Sequence, residues 1–141
     1  MIQPYVTLDG NKYAVTTGSY VRQWIRSFTS YLAANIVRLN FIDKGPGVRT
    51  YSMQLMLVSW DSGSLPYQNG ITQSAETQMS QLDTSYGKIA TALSFTDPFG
   101  TTSSYGVYFT DLQISIPNYG TSEKAYITAS IQLSEATQTV N

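Results

Sequence analysis

Four aspartates come closest to forming a catalytic set in this chain: Asp43, Asp61, Asp97 and Asp111. Two carboxyl groups flanking a glycosidic bond can serve as acid and base in its hydrolysis. All four, however, lie in or near predicted turns or a strand irregularity, where aspartate is favoured because its side chain bonds to nearby backbone. The pattern therefore indicates local turn chemistry, and we predict that the protein is not an enzyme.

The chain lacks the side chains on which most other catalytic and metal sites depend. It contains no Cys and no His, so it has neither a thiolate nucleophile nor an imidazole base. Zinc would have to be held by carboxylates alone, which it rarely accepts. Gly45-Pro46-Gly47 is not followed by the Lys-Ser/Thr pair of a phosphate-binding loop. We therefore predict no metal and no cofactor.

Two aromatic residues flank a carboxylate in a predicted loop over residues 59–70: Trp60, Asp61 and Tyr67. Exposed aromatic rings beside a carboxylate can stack on a sugar and hydrogen-bond to it. Aromatic residues also cover the edge of a core or fill subunit interfaces, and we favour that interpretation. The three residues are the candidate ligand-binding set of an alternative hypothesis, in which the protein binds carbohydrate.

The composition points to protein partners rather than nucleic acid. Charged residues make up 12% of the chain, against about 25% in typical proteins. The formal net charge is -1, and nothing suggests the basic patch that nucleic-acid binding needs. Eleven Tyr and many Ser, Thr, Gln and Asn give a polar, uncharged surface. Such a surface can be buried at small cost if its hydrogen bonds are remade.

The 141 residues fit a single domain, spanning 1–141. No stretch approaches the apolar length of a membrane span. The first residues show neither the basic start nor the apolar run of a signal peptide. We therefore expect no membrane insertion, and synthesis in a cytoplasm.

The clearest strand lies near the end of the chain, over residues 125–133. Apolar residues at odd positions alternate there with Tyr126, Thr128, Ser130 and Gln132. A period of two places one set on a buried face and the other on an outer face. Because that outer face carries almost no charge, these four residues are candidate oligomer-interface residues.

Two hairpins are predicted upstream. Asp9-Gly10 separates two β-rich runs, which is a strong hairpin signal. A longer hairpin, protruding near 37–58, is predicted to join residues 37–42 to 51–58. Residues 20–35 fit both a helical stripe and an extended strand, and we favour an extended or mixed segment because the flanking segments look β.

Charged residues gather around the longer hairpin and the segment leading into it. Arginines at positions 22, 26, 38 and 49 fit inter-subunit salt bridges and a solvated face equally well. The hairpin supplies further candidate interface residues: Arg38, Lys44, Gly45, Pro46, Gly47 and Arg49.

One helix is predicted at about residues 74–90. Ser74 can cap it, and Glu76 lies near the positive end of its dipole. The predicted buried stripe contains Ala75, Met79, Leu82, Tyr86 and Ile89, and the predicted polar side includes Gln78. Further along, residues 97–100 predict a turn, and a change of strand phase near Thr110 and Asp111 predicts a bulge. The sequence thus predicts a mainly β fold, an antiparallel β-sandwich or barrel with one inserted helix.

The order of these segments resembles a known family. A Tyr–strand–Asp-Gly opening is followed by Arg49-Thr50-Tyr51-Ser52-Met53-Gln54-Leu55 and by a helix. Then come Leu93-Ser94-Phe95-Thr96-Asp97-Pro98-Phe99-Gly100, a strand over 105–116, and a closing strand that ends Leu133-Ser134-Glu135. This pattern resembles the small β-sandwich proteins of the tail tube and distal tail, or baseplate hub, of long-tailed bacteriophages.

The resemblance implies a virion subunit that forms a ring, assembled in the host cytoplasm. In that family neighbouring subunits join their sheets around a channel, and a long hairpin reaches the next ring or subunit. The implied state is a homo-oligomer, with a hexamer favoured over a trimer. The implied partners are other tail proteins, with DNA only passing through the channel. Such channels are often acidic, whereas the nine acidic residues here are not gathered in one strand.

Two further hypotheses stay open. One is a trimeric capsid decoration protein that clamps the head lattice. The other is a carbohydrate-binding β-sandwich at a tail tip, which would use Trp60 and Tyr67.

Overall fold

The computed structural model describes residues 3–25, 28–32, 39–43, 48–89, 91–100, 106–117, 120 and 126–136. The strands in these residues are β1 (Tyr5–Leu8), β2 (Asn11–Val15), β3 (Val21–Ile25), β4 (Phe28–Leu32), β5 (Leu39–Asp43), β6 (Val48–Val58), β7 (Phe95–Thr96), β8 (Val107–Ser115) and β9 (Tyr126–Glu135). The helices are α1 (Leu65–Gln68) and α2 (Ala75–Tyr86).

The strands form a seven-stranded sheet and a separate two-stranded sheet. The order in the larger sheet is β7-β1-β2-β6-β9-β8, with β3 also paired to β6, and β4 pairs with β5. The strand pairs are antiparallel. The predicted mainly antiparallel β fold with an inserted helix is therefore confirmed.

The core rests on the pairing of β6 with β9, which runs from Thr50 opposite Ser134 to Val58 opposite Tyr126. In both strands every second side chain is buried. The buried members are Tyr51, Met53, Leu55, Leu57, Ile127, Ala129, Ile131 and Leu133. The period of two in the last strand therefore identified its buried face correctly.

The hairpin between β1 and β2 turns at Asp9 and Gly10, with Leu8 opposite Asn11. Both turn residues have positive φ, 53° for Asp9 and 82° for Gly10. A two-residue hairpin turn of this kind matches the twist of its strands, and Asp and Gly tolerate it best. The predicted hairpin is confirmed.

Strands β2 and β3 lie end to end along the same edge of β6. Val15 pairs with Leu55 and Val21 with Ser52. Between them, Ser19 Oγ donates to the Thr16 carbonyl at 2.7 Å and accepts from the Gln54 amide at 3.2 Å. Residues 21–25 and 28–32 are both strands, so the extended interpretation is confirmed for the described part of segment 20–35.

The predicted pairing of residues 37–42 with 51–58 is wrong. Strand β5 pairs with β4, whereas β6 pairs with β9 on one edge and with β2 and β3 on the other. Alternation marks a strand but leaves its partner open. Here β6 is central because its apolar row matches that of β9. Whether this region protrudes stays a prediction, because residues 33–38 and 44–47 lie outside the described residues.

Helix α2 begins as predicted but ends earlier. Ser74 Oγ accepts from the Thr77 amide at 3.2 Å, and the helix ends at Tyr86 with Gly87 as its C-cap. Tyr86 and Ile89, both predicted to be buried, are 44% and 86% exposed. The helix ends early because the amide of Lys88 bonds to the Ser85 carbonyl at 3.2 Å, which tightens the last turn, and glycine is a poor helix former.

Gln78 is buried, contrary to the prediction that placed it on the polar side of the helix. It is 1% exposed, and its Nε2 donates to the carbonyls of Val58 at 2.8 Å and Gln73 at 3.0 Å. These bonds compensate for the burial of its amide nitrogen.

Segment 93–96 contains β7, which is one end of the sheet order, and it also contacts β8 at the other end. Leu93 exchanges backbone hydrogen bonds with Val107 of β8, at 2.7 and 2.9 Å. Two residues later, Phe95 pairs with Leu8 of β1. The sheet therefore curls around its core.

Two local predictions are confirmed in and before β8. The Gly100 amide bonds to the Asp97 carbonyl at 3.0 Å, which closes the predicted turn with Pro98 in its second position. In β8 the register shifts between Phe109 and Asp111, where a bulge was predicted.

Candidate functional site

The candidate site is the outward face of the three strands β6, β9 and β8. Because the odd-numbered residues of β6 and β9 fill the core, their even-numbered residues point outward. In β8 the bulge shifts the phase, so that Asp111, Gln113 and Ser115 share this outward side. We call the ten residues of this surface the neutral face: Ser52, Gln54, Met56, Asp111, Gln113, Ser115, Tyr126, Thr128, Ser130 and Gln132.

The register of the strands arranges most of the neutral face in rows. Ser52, Gln132 and Asp111 form one row, Gln54, Ser130 and Gln113 the next, and Met56, Thr128 and Ser115 the third. Side chains that lie opposite each other on neighbouring strands have Cβ atoms about 4.5–5.5 Å apart. The rows therefore make one continuous surface.

This surface is nearly free of charge and accessible. Among its ten residues only Asp111 carries a formal charge. Ser130, Gln132, Gln113 and Asp111 are exposed, and Thr128 is half-buried. Tyr126 is 38% exposed, which leaves part of an aromatic ring in solvent.

The candidate interface residues predicted from sequence separate into three groups. Tyr126, Thr128, Ser130 and Gln132 lie together on the neutral face. Arg49 lies elsewhere, and Arg38 and Lys44-Gly45-Pro46-Gly47 are outside the described residues. The remaining neutral-face residues of β6 and β8 were not predicted, although the alternation within each strand carried the signal.

Arg49 belongs to a cluster at the end of the sheet. It pairs with Trp24 across β3 and β6, and its guanidinium carbon lies 4.5 Å from the centre of the Trp24 ring. Its Nε is 3.8 Å from Glu135 Oε2. Arg49 thus interacts within its own chain through a cation–π contact and an ion pair.

The alternative carbohydrate set is only partly accessible. Asp61 is exposed, but Trp60 and Tyr67 are half-buried. Trp60 Nε1 is enclosed without a hydrogen-bond partner among the described residues. The backbone carbonyl of Asp61 accepts from the Ser64 amide at 2.9 Å, which makes it part of a turn. Tyr67 lies in α1.

An apolar cleft of about 560 Å³ is lined by residues that include Val15, Tyr20, Leu65 and Phe99. Tyr20 stacks on Tyr51, with ring centres 6.4 Å apart, and meets Phe99 edge to face at 6.2 Å. Burial raises the pKa of Tyr20 above its ordinary value, and nearby Asp97 and Tyr51 raise it further. The hydroxyl therefore stays protonated well into the alkaline range.

The four aspartates lie in separate segments of the structure. Asp97 is buried, and its Oδ1 accepts from the Phe99 amide at 3.1 Å. Asp111 follows the bulge, and Asp43 ends β5. Within the described part of the chain, no three acidic side chains gather closely enough to hold a metal ion.

Asp9, which we predicted only as a turn residue, also joins the first hairpin to α2. Its Oδ2 accepts from Ser85 Oγ at 3.0 Å and from Lys88 Nζ at 2.6 Å.

Across the described residues, no helix is long and apolar enough to cross a membrane.

No protein-family model matches the chain, and a search of curated proteins returned no significant match.

Proposed function

We propose that this protein is a structural subunit of a bacteriophage tail, which forms a ring or tube through contacts between the sheets of neighbouring copies. The observation that supports this most directly is the neutral face. Its three rows present hydroxyl and amide groups, the side chain of Met56 and a single formal charge. The mainly β fold with an inserted helix agrees with the resemblance.

The chemistry of the neutral face favours contact with protein. A charged side chain must lose strong hydration when it is buried, whereas a hydroxyl or amide needs only to exchange water for another hydrogen-bonding group. Tyr126 adds an aromatic group of a kind enriched at interfaces. A second copy of the chain offers the same donors and acceptors, so the bonds can be remade between subunits.

The proposed assembly is a homo-oligomer in the virion, formed in the host cytoplasm with other tail proteins. We propose six copies as the favoured state and three as the alternative. DNA would contact the assembly only by passing through its channel, and the role is structural rather than enzymatic.

Negative-stain imaging of two charge variants tests this proposal. Ser130→Arg puts a cation in the middle row of the neutral face, and Ser80→Arg puts the same cation on the exposed side of α2. We expect rings or tubes from the wild type and from Ser80→Arg, and dispersed subunits from Ser130→Arg. Rings that survive Ser130→Arg would contradict an interface at this face. Stable trimers that bind phage heads would favour the decoration hypothesis instead.

A further inference from the structure

Strand β8 lies at the end of the sheet order, so one of its edges is open along most of its length in the described residues. Natural edge strands are usually short, or carry lysine or proline, which discourages pairing with another chain. Strand β8 is nine residues long, contains neither lysine nor proline, and bears one charge, at Asp111. Its composition leaves the edge suited to pairing.

The bridge to Leu93 shows which backbone groups face the open edge. Val107 gives both its backbone bonds to Leu93, so its amide and carbonyl point away from β9. Bonded and non-bonded positions alternate along an antiparallel pair. Glu135 lies opposite Val107, so this pair is not hydrogen-bonded. Every second residue of β9 counted from Ser134 is therefore bonded to β8, and these residues include Gln132, Ser130 and Thr128.

Asp111, Gln113 and Ser115 therefore direct their backbone groups to β9. Leu112 and Ile114, between them, direct theirs to the open edge. In the described residues no backbone hydrogen bond satisfies the edge-facing amides and carbonyls of Leu112 and Ile114. Both side chains are half-buried and lie on the core side of the sheet.

We propose that β8 pairs antiparallel with β8 of a second copy of this chain, about a two-fold axis at Gln113. The regular part of β8 after the bulge, residues 111–115, is centred on Gln113. In this register Leu112 lies opposite the partner subunit's Ile114, and the two exchange backbone hydrogen bonds in both directions. The edge-facing backbone amides and carbonyls of Leu112 and Ile114 in the two copies thus satisfy one another.

The side chains match in the same register. On the outward side, Gln113 meets Gln113 of the partner subunit, and two amides can bond to each other. Asp111 meets the partner subunit's Ser115, whose hydroxyl can donate to the carboxylate. On the inner side Leu112 and Ile114 continue the apolar row across the junction. A register centred on Asp111 would instead place two carboxylates face to face, which is destabilising.

This contact does not depend on the proposed tail role, since it uses the backbone edge of β8. It is a closed, isologous contact that gives dimers by itself. Building rings would require a further contact, which the neutral face can supply.

Site-specific cross-linking tests the register, because the chain has no cysteine of its own. At Gln113 the proposed pair is non-hydrogen-bonded, which brings opposed Cβ atoms to about 4.5–5.5 Å, near the range of a disulfide. We expect Gln113→Cys to form a covalent dimer on mild oxidation. The matched control is Ser80→Cys, at an exposed position of α2 outside the neutral face, and it should form no covalent dimer.

Introducing a charge at Gln113, on the proposed two-fold axis, tests the same register without a covalent bond. Gln113 is exposed, so substitution there should leave the fold intact. Gln113→Lys and Gln113→Glu should each lose dimers, since like charges would face each other, and an equal mixture should recover them as mixed pairs. We expect the dimer signal to fall at least tenfold in each variant alone and to return in the mixture.

Failure of Gln113→Cys to cross-link, or failure of the mixture to pair, would overturn the proposal. Rings formed by Gln113→Cys without a cross-link through β8 would overturn the β8 contact and leave the tail role standing, because cysteine adds no formal charge to the neutral face. Dimers as the largest species would support the β8 contact and contradict the ring.

Discussion

At the scale of single residues, Gln78 shows how a polar side chain can belong to the core. Its amide bridges the end of β6 and the segment before α2 by donating to two carbonyls. Methionine has a similar volume but cannot donate. We predict that Gln78→Met lowers the free energy of unfolding by about 1–3 kcal/mol, because two carbonyls in a part-buried region lose their donor.

Urea denaturation measures this effect, with Gln81→Met as the matched control. Gln81 lies on the same helix but is only half-buried, so its substitution should change stability by no more than about 0.5 kcal/mol. Equal effects of the two substitutions would refute the role assigned to Gln78.

Tyr20 links a half-buried side chain with an enclosed hydroxyl to the pH dependence of stability. Burial, Asp97 and Tyr51 raise its pKa in the folded protein, so the folded state holds its proton more tightly than the unfolded state. That contribution to stability is complete below pH about 10, the ordinary pKa of tyrosine, and is lost as the pH rises above it.

We predict that Tyr20→Phe reduces the alkaline loss of stability. The Tyr20 hydroxyl is enclosed without a hydrogen-bond partner in the described part of the chain, so removing it should cost little near neutral pH. The check is the free energy of unfolding at pH 7 and at a pH above about 10, in wild type and variant. An unchanged alkaline slope would show that Tyr20 does not contribute to it.

At the scale of elements, the contact of the first hairpin with α2 depends on Asp9. Its φ of 53° costs about 1–2 kcal/mol for most residues but is tolerated by Asp and Asn. Its carboxylate also pairs with Lys88, which is partly exposed. We predict a loss of about 1–2 kcal/mol for Asp9→Ala and of less than about 1 kcal/mol for Asp9→Asn, which keeps the turn and can still accept from Ser85. Thermal or chemical denaturation of both variants would measure this order, and equal losses would contradict it.

The elements were predictable where a signal was local. Asp9-Gly10 specified its hairpin, the phase change near Thr110 specified a bulge, and Ser74 specified the start of α2. The partner of β5 was not predictable, since any alternating strand fits several neighbours. The burial of Gln78 was not predictable either, because its amide nitrogen donates to the Val58 carbonyl, which lies twenty residues away in sequence.

In the candidate site, too, the pattern within one strand was predictable, whereas the pairing between strands was not. The alternation in β9 correctly identified Tyr126, Thr128, Ser130 and Gln132 as one surface. The register that adds residues of β6 and β8 to it could be read only from the assembled sheet. Arg49 was grouped with this surface by its proximity in sequence to the hairpin, but its contacts are with Trp24 and Glu135.

At the scale of the whole molecule, we propose that copies of this chain assemble through their sheets. Native mass spectrometry of the unmodified protein over a series of concentrations tests it most directly, since one chain has a mass of 15.6 kDa. We expect a closed oligomer, with six copies favoured, whose share rises with concentration. A single species at the mass of one chain throughout the series would contradict it.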